Sequence, residues 1–187
     1  NQILSDNYLK LPSNKIIFSS ENQFFFEVNN RFKFKNLKLD SKIGIKELIL
    51  KNELDINKIF PKLEKEIIFT NHKIDFNYHK EIWKIKGLGE FLLNKQDKIE
   101  YNIKKKGNNI SFETLFKINE SPFKVDLLNY QKKEKSNLEI IINGRKDLKN
   151  NLYFEKIALL ENDNKIKIQN LLISKDYEIQ KLKKINF

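Results

Sequence analysis

Apolar and polar residues alternate with a period of two along most of the chain, the pattern of strands that turn one face toward an apolar environment and the other toward water. Phe24 and Phe26 lead to Phe32 and Phe34, with Arg31, Lys33 and Lys35 in the opposite phase, and Ile43 and Ile45 follow Asp40-Ser41. Ile74, Phe76 and Tyr78 alternate with Lys73, Asp75 and Asn77. Ile99, Tyr101 and Ile103 run into Lys106-Gly107-Asn108-Asn109, after which Ile110, Phe112, Thr114, Phe116 and Ile118 resume the alternation, which predicts a hairpin. Past Ser121-Pro122 the rhythm continues through Phe123, Val125 and Leu127, then Leu138, Ile140 and Ile142, where Asn143-Gly144 is expected to end the strand. Leu152, Phe154, Ile157 and Leu159 form the next segment and Glu161-Asn162-Asp163-Asn164 the next turn. Ile166, Ile168, Leu171, Ile173, Tyr177, Ile179, Leu182, Ile185 and Phe187 complete the series.

Helical spacing occurs once, at Leu54, Ile56, Ile59 and Phe60, and Pro61 ends that turn, which allows at most one short helix near residues 53–60. The fold class is therefore all-β: about ten to twelve strands in a long antiparallel meander, forming a curved open sheet or groove. One face of such a sheet is apolar and no long amphipathic helix exists to cover it. It must close on itself as a sandwich or barrel, meet a partner chain, or meet lipid. The 187 residues read as a single β-rich segment, with any sub-boundary near 52–66, and Asn1 in place of Met suggests a piece of a larger protein.

Composition narrows the chemistry. With 12% aromatic residues, among them 15 Phe, the chain has the means to build a core and is not a disordered tail. No apolar run approaches the roughly 18 residues of a membrane-spanning helix. Without cysteine there is no disulfide, thiolate metal site or cysteine nucleophile. The excess of 36 Lys plus Arg over 25 Asp plus Glu gives +11, but only Arg31 and Arg145 carry the guanidinium fork suited to phosphates and guanine edges. The lysines are spread along the whole chain, as in the residue usage of an AT-rich genome, and nucleic acid is not expected as a partner. A basic nucleic-acid-binding β domain is a minor alternative, and a field of this sign also favours anionic lipid headgroups.

No catalytic constellation emerges. His72 and His79 are seven apart in a strand pattern, an odd separation that puts them on opposite faces. Asp75, Glu100, Glu113, Asp126 and Glu139 lie on the polar phase, and no G-x-S-x-G occurs. Gly87-Leu88-Gly89 begins like a phosphate loop but has Leu92 where a third glycine belongs, and it reads as a bend in a strand. Trp83, Tyr78 and Tyr101 sit in the apolar phase among Ile and Leu, as core or groove lining rather than a base-stacking platform. Lys132-Lys133-Glu134-Lys135 and Lys181-Leu182-Lys183-Lys184 read as solvated turns, with contact to anionic headgroups as the alternative. The chain is expected to be non-enzymatic, with no metal and no cofactor.

The run from Leu127-Leu128-Asn129-Tyr130 through Leu138-Glu139-Ile140-Ile141-Ile142-Asn143-Gly144 to Phe154-Glu155-Lys156-Ile157-Ala158-Leu159-Leu160-Glu161 and Lys165-Ile166-Lys167-Ile168-Gln169-Asn170-Leu171 resembles the strand-after-strand pattern of the AsmA-like proteins, bacterial envelope proteins with TamB-like and YhdP-like branches. Gly87-Leu88-Gly89-Glu90-Phe91 is similar to their glycine-spaced strands, and the resemblance spans most of residues 14–187. It rests on a rhythm of strands and turns, with no catalytic motif to carry across. It implies a slice of a long β-groove in the periplasm, held in the inner membrane by an N-terminal helix outside this sequence, that passes phospholipid toward the outer membrane and meets envelope proteins at its ends. The expected lipid-lining residues are Ile99, Tyr101, Ile103, Phe112, Phe116, Ile140, Ile142, Phe154, Ile166 and Ile168. The alternative is a closed β-sandwich, a structural or adhesion module of the envelope, in which the same residues form a dry core.

Overall fold

A computed structural model describes residues 13–51, 56–61, 63, 66–91, 94–133, 135–176 and 178–187. Its strands are β1 (Ser13–Val28), β2 (Phe34–Lys51), β3 (Glu66–His79), β4 (Ile82–Phe91), β5 (Asn94–Lys106), β6 (Asn109–Ile118), β7 (Lys124–Val125), β8 (Tyr130–Gln131), β9 (Leu138–Lys146), β10 (Leu152–Glu161), β11 (Asn164–Ile173), β12 (Ile179–Lys181) and β13 (Lys184–Asn186). Short 3₁₀ turns occupy Ile56–Lys58 and Asp126–Leu128. The residues Asn1, Leu54, Leu92, Glu134 and Tyr177, named above, lie outside the described set.

Eleven strands make one antiparallel sheet in which β1 to β6 follow chain order, β9, β10 and β11 continue it, and β12 and β13 both pair with β11. The protein is all-β, and its long meander is one open, uncurled sheet whose first and last strands do not meet. Among the described residues it neither closes as a barrel nor folds over as a sandwich. Lys51 pairs with Glu66 across β2 and β3, so the strands on either side of 52–65 belong to one sheet.

Asparagine does much of the work that a chain with five glycines leaves undone. Asn36, Asn71, Asn129, Asn150, Asn162 and Asn170 all adopt left-handed backbone angles, which asparagine tolerates better than most residues. Asn71 lies where β3 and β4 slip register between Thr70 and Lys73, and it delivers His72 to the same face as Phe69. The β3–β4 turn is less well provided for. Lys80 and Glu81, between the paired His79 and Ile82, both have positive φ, 48° and 62°.

Several details differ from the pattern reading. Asn143-Gly144 does not end a strand, because β9 continues through it to Lys146. Phe32 is not a strand residue but sits at the tip of the β1–β2 turn with φ 56°. The alternation at Phe123, Val125 and Leu127 yields only the two-residue β7 and a turn that leaves Leu127 85% exposed. This segment has another task.

The described residues between β6 and β9, 119–133 and 135–137, fold down over the apolar face at the end where β3, β5, β9 and β11 begin. There β7 and β8 pair as a small hairpin, and the Lys124 N–H donates to the Ile59 carbonyl, joining it to the 3₁₀ turn after β2 (2.9 Å). Phe123 meets Phe60 edge to face at 5.2 Å, and Phe60 meets Phe91 at 5.5 Å. With Ile67, Ile118, Leu138, Ile140, Leu159 and Ile166 these rings form the dry core. Two buried carboxylates fasten this cap to the sheet. Asp97, with no exposed surface, accepts the backbone N–H groups of Asn119 (2.6 Å), Glu120 (3.1 Å) and Ser121 (3.1 Å). Glu161 accepts the Lys133 N–H (2.7 Å), the Tyr130 hydroxyl (2.9 Å) and the Ser136 hydroxyl. Lys132, expected in a solvated turn, is instead buried and donates from Nζ to the Asn119 carbonyl at 2.9 Å.

Candidate functional site

Residues paired across neighbouring strands share a face, so the register assigns every side chain to one side of the sheet. One row crosses ten strands in unbroken register: Ser20, Ile43, Ile74, Gly87, Tyr101, Thr114, Ile142, Ile157, Ile168 and Ile185. The next row toward the β5–β6 turn carries Phe76, Ile85, Ile103, Phe112, Gly144, Phe154 and Leu171. The row on the other side, toward the cap, carries Gly89, Ile99, Phe116, Ile140, Leu159 and Ile166. All ten expected lining residues therefore lie on one face. They divide into two groups. Ile140 and Ile166 are floor residues of the dry core, with Ile99, Phe116 and Ile142 packed against it. Tyr101, Ile103, Phe112, Phe154 and Ile168 lie beyond the cap and are half-buried by their neighbours in the sheet.

Glycines set where the bulky rings of this face can lie flat. A methyl group on Gly87 would stand 2.1 Å from the Tyr101 ring, one on Gly89 would stand 2.0 Å from the His72 ring, and one on Gly144 would meet Phe112 and the Tyr153 carbonyl at 2.8 Å. Each ring occupies the space of a missing Cβ on the neighbouring strand, so these glycines serve ring packing rather than phosphate binding.

The opposite face carries most of the charge. Lys73, Asp75, Lys86, Glu100, Asn102 and Glu113 line a shallow depression of about 720 Å³ on it together with the apolar Leu88, Leu115 and Ile141, and Lys117 pairs with Glu100 at 2.9 Å. Two lysines belong instead to the apolar face, at its uncapped end. Lys105 and Lys146 flank Ile110 in register, and the Lys105 ammonium lies 5.1 Å from the centre of the Trp83 ring. The apolar face is thus bordered along its uncapped side by a cationic rim, a feature of single side chains that strand periodicity alone does not announce.

The histidines lie on opposite faces. His79 is exposed, whereas His72 is buried and its Nε2 lies 3.0 Å from the Glu90 carbonyl, a geometry in which Nε2–H donates. Burial holds the His72 imidazole below its ordinary pKa, against the opposing pull of Glu90, so it is a neutral packing residue. Burial raises the Glu161 carboxyl, but its hydrogen bonds from Ser136, Lys133 and Tyr130 outweigh that and hold it below the usual carboxylate range. Burial and the bond to Glu161 push the Tyr130 phenol well up. Both groups are engaged in anchoring the cap. Among the described residues no three His, Asp or Glu side chains gather as metal ligands, and no helix is long and apolar enough to cross a membrane. Trp83 packs edge to face on Phe76 and Tyr78, at 5.6 and 6.0 Å, within the apolar face. What the arrangement offers chemically is a non-covalent apolar surface with a cationic rim. No protein-family model, curated protein or solved structure matches the chain.

Proposed function

We propose that the chain is a non-enzymatic lipid-transfer module that holds phospholipid acyl chains against its apolar sheet face and lets them move across the strands. The observation that carries this reading is the uncapped part of that face. Ile and Phe side chains in continuous register cross an open sheet whose other face carries most of the charge, and no chain segment among the described residues lies over them. Ten strands at about 4.8 Å spacing make a track roughly 43 Å long. Each methylene laid on it stabilises the complex by about 0.8 kcal/mol, and neighbouring positions are alike, so a chain can slide at little cost. Lys105 and Lys146 supply the attraction for a phosphate headgroup along the uncapped side. The strand rhythm resembles that of the AsmA-like proteins, and in this reading the module works between the inner and outer membranes of a bacterial envelope, with envelope proteins at the ends of the track and the parent held at the inner membrane.

Transfer of a fluorescent phospholipid from donor to acceptor vesicles tests the reading. Phe112→Asp puts a charge in the track beyond the cap, and it is expected to abolish transfer while the far-ultraviolet circular dichroism stays that of the wild type. Transfer that survives both Phe112→Asp and Ile168→Asp refutes it.

A further inference from the structure

Among the described residues the sheet has two edges, and they are unlike. One is made of β12 and β13, three residues each, beside Lys181, Lys183 and Lys184, the short and charged kind of edge that resists strand addition. The other is β1, sixteen residues long, without proline, glycine or a left-handed residue, and every described side chain from Lys15 to Val28 is exposed. From Lys15 to Val28 its alternation is regular, because both register slips within that stretch fall where β2 has the extra residue: β1 runs from Ile17 to Phe18 while its partners run from Glu47 to Ile45, and from Phe25 to Glu27 while they run from Lys38 to Lys35.

The sequence of β1 reads nearly the same in both directions about Glu21. Antiparallel pairing of two copies through a twofold axis at that residue sets Ser20 against Asn22, Ser19 against Gln23, Phe18 against Phe24, Ile17 against Phe25 and Ile16 against Phe26. Lys15 then faces Glu27, the two remaining charges of the strand. Apolar meets apolar, polar meets polar, cation meets anion, and only Glu21 opposes its own kind. A twofold axis normal to the sheet preserves the faces, so Phe18 and Phe24, 59% and 62% exposed, would cover each other on the apolar side.

We propose that β1 is a homodimerisation edge, pairing with β1 of a second copy in the register that places residue i opposite residue 42 − i. About a dozen inter-chain backbone hydrogen bonds would form over Lys15 to Glu27. The apolar faces of the two copies would become one, and the charged short edges at the far ends would stop growth at two.

Sedimentation velocity of the full chain over a wide concentration range tests this independently of lipid. The expected species has twice the chain mass. Phe18→Lys sets an ammonium against Phe24 and should give monomer, Phe18→Lys with Phe24→Glu should restore the dimer, and Glu21→Gln should tighten it by up to roughly fivefold. In a chain without native cysteine, Glu21→Cys should join two copies through a short thiol crosslinker, whereas Lys15→Cys, about 40 Å from its twin, should not. A monomer at every concentration overturns the proposal, as does a dimer that ignores Phe18→Lys or in which both cysteines couple equally.

Discussion

Asp97 is the residue on which the division of the apolar face depends. Its fully buried carboxylate accepts three successive backbone N–H groups of the cap, those of Asn119, Glu120 and Ser121, at 2.6 to 3.1 Å. Hydrogen bonds to a charged acceptor contribute about 1.5 to 3 kcal/mol each. Glu120 is exposed, so water can replace part of what is lost there, which points to the low end of that range. Asp97→Ala should therefore cost about 4 to 5 kcal/mol, a large share of the roughly 5 to 15 kcal/mol that a domain commands. Asp97→Asn should cost less, because one carbonyl oxygen still accepts while the amide opposes the Ser121 N–H. Urea titration gives the total, and hydrogen exchange of amides 119–121 separates loss of the cap from loss of the sheet. The cap should open first, with β9 and β10 still protected. A cost under about 1 kcal/mol with those three amides still protected would refute the assignment of Asp97 as the anchor.

Three other outcomes follow from single features. Lys80→Asn with Glu81→Gly relieves two left-handed residues in the β3–β4 turn and should stabilise the chain by about 1 to 2 kcal/mol, read as a raised urea midpoint. His72 has a lowered pKa in the fold, so above its ordinary value of 6.5 both states are neutral and stability is full; as pH falls through 6.5 the unfolded chain takes up the proton first and stability declines. A thermal-melt series between about pH 8 and 5 should show this decline, and His72→Phe should flatten it in that window. Ile140→Asp buries an unpaired charge under the cap and should cost several kcal/mol and unfold the domain in mild denaturant, whereas Phe112→Asp, on the uncapped face, should leave a cooperative transition.

The legibility of this fold follows from its physics. Ile99, Phe116 and Ile140 alternate with charged neighbours, and a period of two survives in a meander because each strand keeps one face in water. That is why the ten residues expected to line a groove share one side of the sheet. Where the period broke, the reading failed for a local reason. Residues 15–23 contain Ser19-Ser20 and Asn22-Gln23 on an edge where neither face is packed, so no apolar phase marks them. Asn143-Gly144 has the composition of a turn, yet Gly144 is retained inside β9 because the Phe112 ring needs the space of its Cβ. The cap was hidden in an apparent continuation of strands, since Phe123 and Val125 alternate as strand residues do but pack downward on Phe60 and its neighbours. Asp97 and Lys132 gave no sign of burial, because what satisfies them is backbone that arrives from 119–121 and Asn119, more than ten residues away in each case. Lys105 and Lys146 read as ordinary strand charges until the register placed them beside Ile110.

The claim that the uncapped face holds lipid is tested most directly by native mass spectrometry, with lipid extraction, on the chain purified from bacterial cells without harsh detergent. The account predicts phospholipid co-purifying with wild-type protein and absent from Phe112→Asp. A lipid-free, cooperatively folded wild type, or lipid retained equally by Phe112→Asp, would contradict it.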